Sequence, residues 1–400
     1  MHTPNIPRFF ILFVASLVAL GPLSIDTYLP ALPDMAEVFG VSIVEVNHTL
    51  SIYFLGFAVG QIFGGPISDQ VGRKPVGLVG LALFTISSVA IAMAEQIEPV
   101  MWLRGVQAVG GGFATVICMA MVRDAYAPAE AAKRFPRVML VMLAAPLLAP
   151  AIGAILLPLG WWSIFVFLAV YGVVMMALFG TVSETASQRS GQLALGQILP
   201  QYFSVLAFKV DDLYITPRWI FSQGLLSSIM FVFITHSSFI YLEYFNVSPQ
   251  MFVFFFGANV AAMMVGTTIA SRLILRFEPF TLYQVARGVQ LILVTCLTLA
   301  TLLSDIPIWL FTPLLALSIG CNGIINPSVQ GMYLAPFGQL AGSATSLMSM
   351  AMFSFGGVLG FISGLFYDGT LVPIVVTMLV VLVLANLVAL TIPTQTLAEE

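Results

Sequence analysis

The 400-residue sequence predicts an all-α membrane protein, with twelve transmembrane helices in two pseudo-symmetric six-helix bundles. Three observations carry that prediction. Residues of the set AVILMFWYC make up 60% of the chain, against about 45–50% for a comparable apolar set in soluble domains. Charged residues are 8%, against about 25% in soluble domains, and the mean hydropathy is +1.03. Finally, the apolar residues fall into long runs separated by short polar turns. With 14 basic and 18 acidic residues, a soluble chain of this length could not cover its surface with charge, so its solvent is lipid.

A helix needs about 20 apolar residues to cross the hydrocarbon core. Taken in order, the runs span 9–29, 46–67, 76–94, 99–122, 138–159, 162–182, 219–241, 252–274, 280–303, 307–330, 342–366 and 373–392. None alternates polar and apolar residues over about ten positions, which argues against an outer-membrane barrel. The first run begins near Phe9, is longer than the apolar part of a secretory signal and is followed by many more runs, so no cleaved signal is expected. The longest polar stretch, 183–218, leaves six runs on each side. It predicts an N-terminal bundle at 1–182, a cytoplasmic linker at 183–216 and a C-terminal bundle at 217–400. Parallel-related halves are a known transporter plan.

The charges give orientation. Placing the N-terminus inside puts Arg8, Arg73, Lys74, Arg123, Lys133, Arg134, Arg137, Arg189, Lys209, Arg218, Arg272 and Arg276 on the inner side. The outer loops then hold no Lys or Arg, but carry Asp34, Glu37, Glu45, Glu95, Glu98, Asp305 and Asp368. This follows the positive-inside rule and predicts cytoplasmic termini. The net charge of −4 is unclustered, so nucleic acid is not an expected partner. Cys118, Cys296 and Cys321 lie in apolar runs without disulfide or zinc spacing, so no metal site is expected. There is no Walker A, HExxH or GxSxG sequence, so the chain is not expected to be an enzyme. No selectivity-filter repeat suggests a channel.

Ionisable groups within spans are costly and read as functional by default. Asp26, near the outer end of the first run, and Arg104, early in the fourth, fall at similar depth. The expectation is that Asp26 takes and releases a proton and that Arg104, or substrate, controls when. Arg287 lies about two turns into the ninth run and is expected to snorkel toward the cytoplasm. Asn259, Asn322 and Asn326 are polar groups in the eighth and tenth runs; hydrogen bonding to substrate and to neighbouring helices are both open to them. His236, in the outer half of the seventh run, reads either as hydrogen-bonded packing or as a proton relay that rivals Asp26.

The inner turn after the second run reads Gly65-Pro66-Ile-Ser-Asp69-Gln70-Val-Gly72-Arg73-Lys74-Pro75. Gly72 permits a backbone that bulkier residues resist. Pro75 can start the next helix, and Asp69 can pair with the basic residues and that helix N-terminus. The spacing resembles the loop signature of the major facilitator superfamily, with Gln70 where Arg is common. Arg104-Gly-Val-Gln107-Ala108 resembles that superfamily's RxxQG element. Ala149-Pro150-Ala-Ile-Gly153-Ala154 resembles its antiporter element GPxxGG, of which Pro150 and Gly153 carry over. Asp26-Thr-Tyr28-Leu-Pro30-Ala-Leu-Pro33 resembles the opening of the bicyclomycin and chloramphenicol resistance branch (Bcr/CflA). Arg123-Asp124, Glu184-Thr185, Pro336-Phe337 and 341–344 also suit that branch.

The resemblance implies the major facilitator fold, opening alternately to each side. It also implies a cytoplasmic latch of Gly65, Asp69, Gly72, Arg73 and Lys74 with Asp124 as acidic partner, and a packing motif at Pro150 and Gly153. The expected function is proton-coupled export of drug-like amphipathic molecules across the bacterial inner membrane. No cofactor beyond the proton gradient is expected, and the chain is expected to work as a monomer. Tyr28, Gln107, His236, Asn259 and Asn326 are the candidate cavity residues. The alternatives are a proton-coupled carrier of one metabolite on the same fold and, from another class, a channel or non-transporting sensor.

Overall fold

The computed structural model describes residues 7–186, 195–210 and 212–393. It is helical apart from one two-stranded hairpin. The helices, in chain order, are α1 (Phe10–Asp26), α2 (Leu32–Phe39), α3 (Ile43–Val71), α4 (Arg73–Ala92), α5 (Ile97–Ala125), α6 (Pro128–Leu156) and α7 (Trp162–Thr181). They continue with α8 (Leu195–Leu206), α9 (Ile215–Ser238), α10 (Pro249–Leu273), α11 (Pro279–Leu303), α12 (Ile308–Leu334), α13 (Ala341–Leu365) and α14 (Val372–Ala389). Among the described residues, twelve helical spans are long and apolar enough to cross a membrane. The first joins α1 to α2 through a 3₁₀ turn at Leu29–Ala31, where Pro30 and Pro33 bend the path. The seventh extends α9 through a π-helical turn at Phe239–Tyr244.

Local chemistry sets the ends. Ser42 caps α3: its Oγ accepts from the Glu45 amide at 3.4 Å, and the Glu45 carboxylate accepts from the Ser42 amide at 3.2 Å, the reciprocal capping box. Gly40 ends α2 at φ +65°, a left-handed C-cap that glycine adopts without strain.

The chain divides into two compact units, Met1–Leu199 and Pro200–Glu400, each with six of the spans. Their internal packing repeats. In the first unit α3 packs on α5, α4 on α5 and α7, and α1 on α6. In the second, α10 packs on α12, α11 on α12 and α14, and α9 on α13. Without a hydrophobic drive between helices in lipid, such contacts rest on close backbone approach through small residues. A Cβ on Gly60 would stand 2.6 Å from the Val109 carbonyl oxygen and 2.8 Å from the Gly112 Cα, so α3 and α5 are in backbone contact there.

The segment read as a linker is not plain coil. It holds α8 and a hairpin pairing Lys209–Val210 with Leu213–Tyr214. Its most polar part, including Arg189, lies outside the described residues.

Candidate functional site

The centre of the first unit is built on Arg104. The residue is fully buried on α5. Its Nη1 donates to the Ser24 carbonyl oxygen at 3.1 Å and to Gln107 Oε1 at 2.6 Å. Gln107, one turn on, donates from Nε2 to Ser88 Oγ at 2.7 Å. The guanidinium carbon lies 4.3 Å from the Tyr28 ring centre, 4.2 Å from that of Tyr53 and 5.8 Å from that of Phe165. A desolvated cation held against aromatic faces gains about 2 kcal/mol. Tyr28 bonds Thr49 through their hydroxyls at 2.8 Å, and Tyr53 bonds Ser24 in the same way. Arg104 thus joins α1, α3 and α5 into one polar knot inside an apolar unit.

Asp26 ends α1 two residues beyond Ser24 and is 3% exposed. Its Oδ1 has no hydrogen-bond partner, nor does the hydroxyl of the adjacent, buried Thr27. Asp26 and Arg104 make no ion pair; the guanidinium reaches the α1 backbone and two tyrosine rings instead. Gly153 of α6 sits against this end of α1. A Cβ there would collide with the Thr27 carbonyl oxygen and lie 3.4 Å from Pro30. Pro150 precedes Gly153 by three residues inside the same helix. The motif therefore lets α6 approach the carboxylate-bearing end of α1 closely.

A second cluster forms at the α3–α4 turn. Arg73 pairs with Asp69 one turn back. It also pairs through Nε with Asp124 Oδ2 at 3.0 Å, near the end of α5, and through Nη1 with Ser68 Oγ at 2.6 Å. Gly72 takes φ +112°; a Cβ there would run into the Glu184 carboxylate. That carboxylate corrects one expectation. The α4 N-terminus is received by Glu184 rather than Asp69: Oε1 accepts from the Arg73 amide at 2.9 Å and Oε2 from the Lys74 amide at 3.1 Å. A carboxylate at a helix N-terminus satisfies orphan amides and complements the dipole. Lys74 returns the exchange, donating from Nζ to the Gly180 and Val182 carbonyl oxygens at 2.8 Å each, at the end of α7. Gly65 lies one turn before Asp69, and its carbonyl accepts from Ser68 Oγ at 2.7 Å.

In the second unit the predicted polar residues have separate partners. His236 shares a 2.6 Å hydrogen bond with Ser363 Oγ of α13. Asn259 donates to Tyr241 Oη at 3.3 Å and to the Phe255 carbonyl at 2.8 Å. Asn326 accepts from Gln223 Nε2 and, at 3.3 Å, from Ser227 Oγ, both on α9. Asn322 accepts from Gln290 Nε2 at 3.2 Å. Arg287 does not snorkel: it is 9% exposed and donates to Asn386 Oδ1 at 2.7 Å. Tyr53, Ser24 and Ser88 are site residues that sequence reasoning missed, and Glu184 stood out only by resemblance, without its role as the α4 cap. Gln107 at i+3 from Arg104 was the one spacing that pointed toward the knot.

A repeated six-helix unit with ionisable groups buried among its helices is the plan of a multi-pass membrane transporter. Residues 12–361 match the Major Facilitator Superfamily, and the chain belongs to that family. The bicyclomycin resistance protein homolog of Haemophilus influenzae is 28% identical over 371 residues, 92% of each chain. The multidrug resistance protein MdtL of a Shewanella species is 29% identical over 355 residues, 86% of this chain and 85% of that one. The crystal structure of a D-xylose–proton symporter superposes with a TM-score of 0.73 over 97% of this chain and 98% of that one, at 14% identity, and so shares the fold.

Proposed function

We propose that this chain is a proton-coupled exporter of drug-like amphipathic small molecules, working as a monomer by alternating access in the bacterial inner membrane, with both termini in the cytoplasm. The observation that carries the reading is Asp26, a buried carboxylate with Oδ1 unpartnered at the end of α1. The protonation of such a group responds to whatever approaches it. Arg104 modulates it from the same helix end, through the Ser24 carbonyl. The similarity to proteins named for bicyclomycin and multidrug resistance supports the substrate class. The absence of Lys and Arg from the outer loops supports the orientation. A potential of 100 mV supplies about 2.3 kcal/mol per charge moved, so one proton per cycle drives a modest gradient unless a pH difference adds to it.

The test is drug and dye efflux driven by an imposed pH gradient, with purified protein in vesicles. Wild type exports against the gradient. Asp26→Asn inserts and folds but loses proton-driven export. Wild-type rates in that variant, or no accumulation by the parent with any compound of a broad panel, would sink the reading.

A further inference from the structure

Arg287 carries a charge that its unit does not neutralise. It lies on α11, 9% exposed, with one neutral hydrogen-bond acceptor, Asn386 Oδ1 of α14, at 2.7 Å. The Tyr283 ring centre is 5.5 Å from the guanidinium carbon. Nε is buried without a partner, and none of the ion pairs among the described residues includes Arg287. A buried charge without a counter-charge is costly, and charges inside spans are normally paired. A second guanidinium, Arg218 at the start of α9, donates to the Thr391 carbonyl oxygen just past the end of α14. The α14 C-terminal dipole accounts for Arg218, but not for Arg287, which meets a side-chain amide and a tyrosine ring, both neutral.

The surroundings of Arg287 show what could approach it. The next residue is Gly288, where a Cβ would meet nothing within 4 Å. Asn386 is partly exposed. On the same helix Val285 and Val289 are 60% and 43% exposed, and apolar surface of that kind in a membrane span faces acyl chains. The bond to Asn386 sets the guanidinium at the α11–α14 contact, and the adjoining Gly288 position opens on free space. Arg287 lies eight residues into α11, about 12 Å along the axis from Pro279. Taking the orientation proposed above, that end of α11 is cytoplasmic. The cytoplasmic leaflet is anionic, and basic pockets between helices on that side take lipid headgroups.

We propose that the notch formed by Arg287, Gly288 and Asn386 binds the phosphate of an anionic phospholipid, whose charge completes the pairing that the protein leaves open. Arg287 supplies two-pronged donation to the phosphate oxygens, and the acyl chains lie along Val285 and Val289.

The test uses the full-length protein, delipidated in a neutral detergent, and follows thermal unfolding with added phosphatidylglycerol, phosphatidylcholine or inorganic phosphate. A ligand that binds only the folded state raises the melting temperature with concentration. Phosphatidylglycerol should raise that of the wild type by a few degrees, and the other two should not. Arg287→Gln should abolish the shift. Gly288→Leu fills the notch while keeping the charge; it should abolish the shift with the lipid-free melting temperature unchanged or higher, since leucine favours helix over glycine. If Arg287→Gln does not fold, Gly288→Leu decides alone. Equal shifts in wild type and Gly288→Leu would overturn the site, as would an equal response to phosphatidylcholine or inorganic phosphate. No transport is measured, so failure here leaves the exporter reading untouched.

Discussion

The guanidinium of Arg104 lies 4.2 Å from the centre of the Tyr53 ring, and the Tyr53 hydroxyl bonds Ser24, whose carbonyl oxygen in turn receives Arg104. Three helices meet in that closed loop. Tyr53→Phe keeps the aromatic face and removes one hydrogen bond, so it should cost about 1 kcal/mol of stability. Tyr53→Leu removes the face as well and should cost about 1–2 kcal/mol more. Thermal unfolding of the two variants measures the difference. Equal losses would mean that the ring does not hold the cation.

Asp26 and Arg104 should couple weakly. A direct ion pair inside a protein gives a large interaction in a double-mutant cycle, whereas residues linked through one backbone segment give about 0.5–1 kcal/mol. Thermal unfolding of Asp26→Asn, Arg104→Gln and the double variant supplies the cycle, since Asp26→Asn leaves no proton-driven export to compare. A coupling of several kcal/mol would show that the two side chains meet.

Gly153 should tolerate no larger residue. A Cβ at that position collides with the Thr27 carbonyl oxygen. Gly153→Ala should therefore push α6 off the end of α1 at a cost of about 1–3 kcal/mol. Export should fall further than the stability loss alone explains, because Asp26 is displaced with the helix end. A variant with normal melting temperature and normal export would remove Gly153 from the site.

Glu184 should act through Arg73. Losing its carboxylate strips α4 of a cap worth about 0.5–2 kcal/mol. Glu184→Ala should slow turnover about threefold to tenfold on the same energy scale, with drug affinity little changed. In an Asp124→Asn background the added effect should shrink, because the guanidinium is already partly released. Full additivity of the two rate losses would assign Glu184 a purely structural role.

The spans were legible because lipid enforces them: each backbone group must bond within its own helix, and apolar length reports that directly. Their ends were less so. The fifth run begins at 138 by composition, yet α6 begins at Pro128, because Lys133, Arg134 and Arg137 continue the helix beyond the apolar stretch. The residue types at the inner turn and at Asp26 announced themselves by charge and spacing. Tyr53 did not, since an aromatic in an apolar run looks like any other packing residue. The capping role of Glu184 was hidden for a different reason. Its acceptors' partners are backbone amides 110 and 111 positions away, and no side-chain pattern records a backbone amide.

The exchange between Lys74 and Glu184 also bears on how the protein is made. Chains are synthesised from the N-terminus, and domains tend to close as they emerge. The carbonyls at the end of α7 and the amides at the start of α4 satisfy each other's needs through side chains that are all in place once residue 184 has left the ribosome. The start of α4 and the end of α7 are then sealed while the later spans are still unwritten. A ribosome stalled far enough on for Glu184 to have left the exit tunnel would hold a finished half, resistant to membrane proteases, whereas one stalled with Glu184 still inside would hold a half with α4 still frayed.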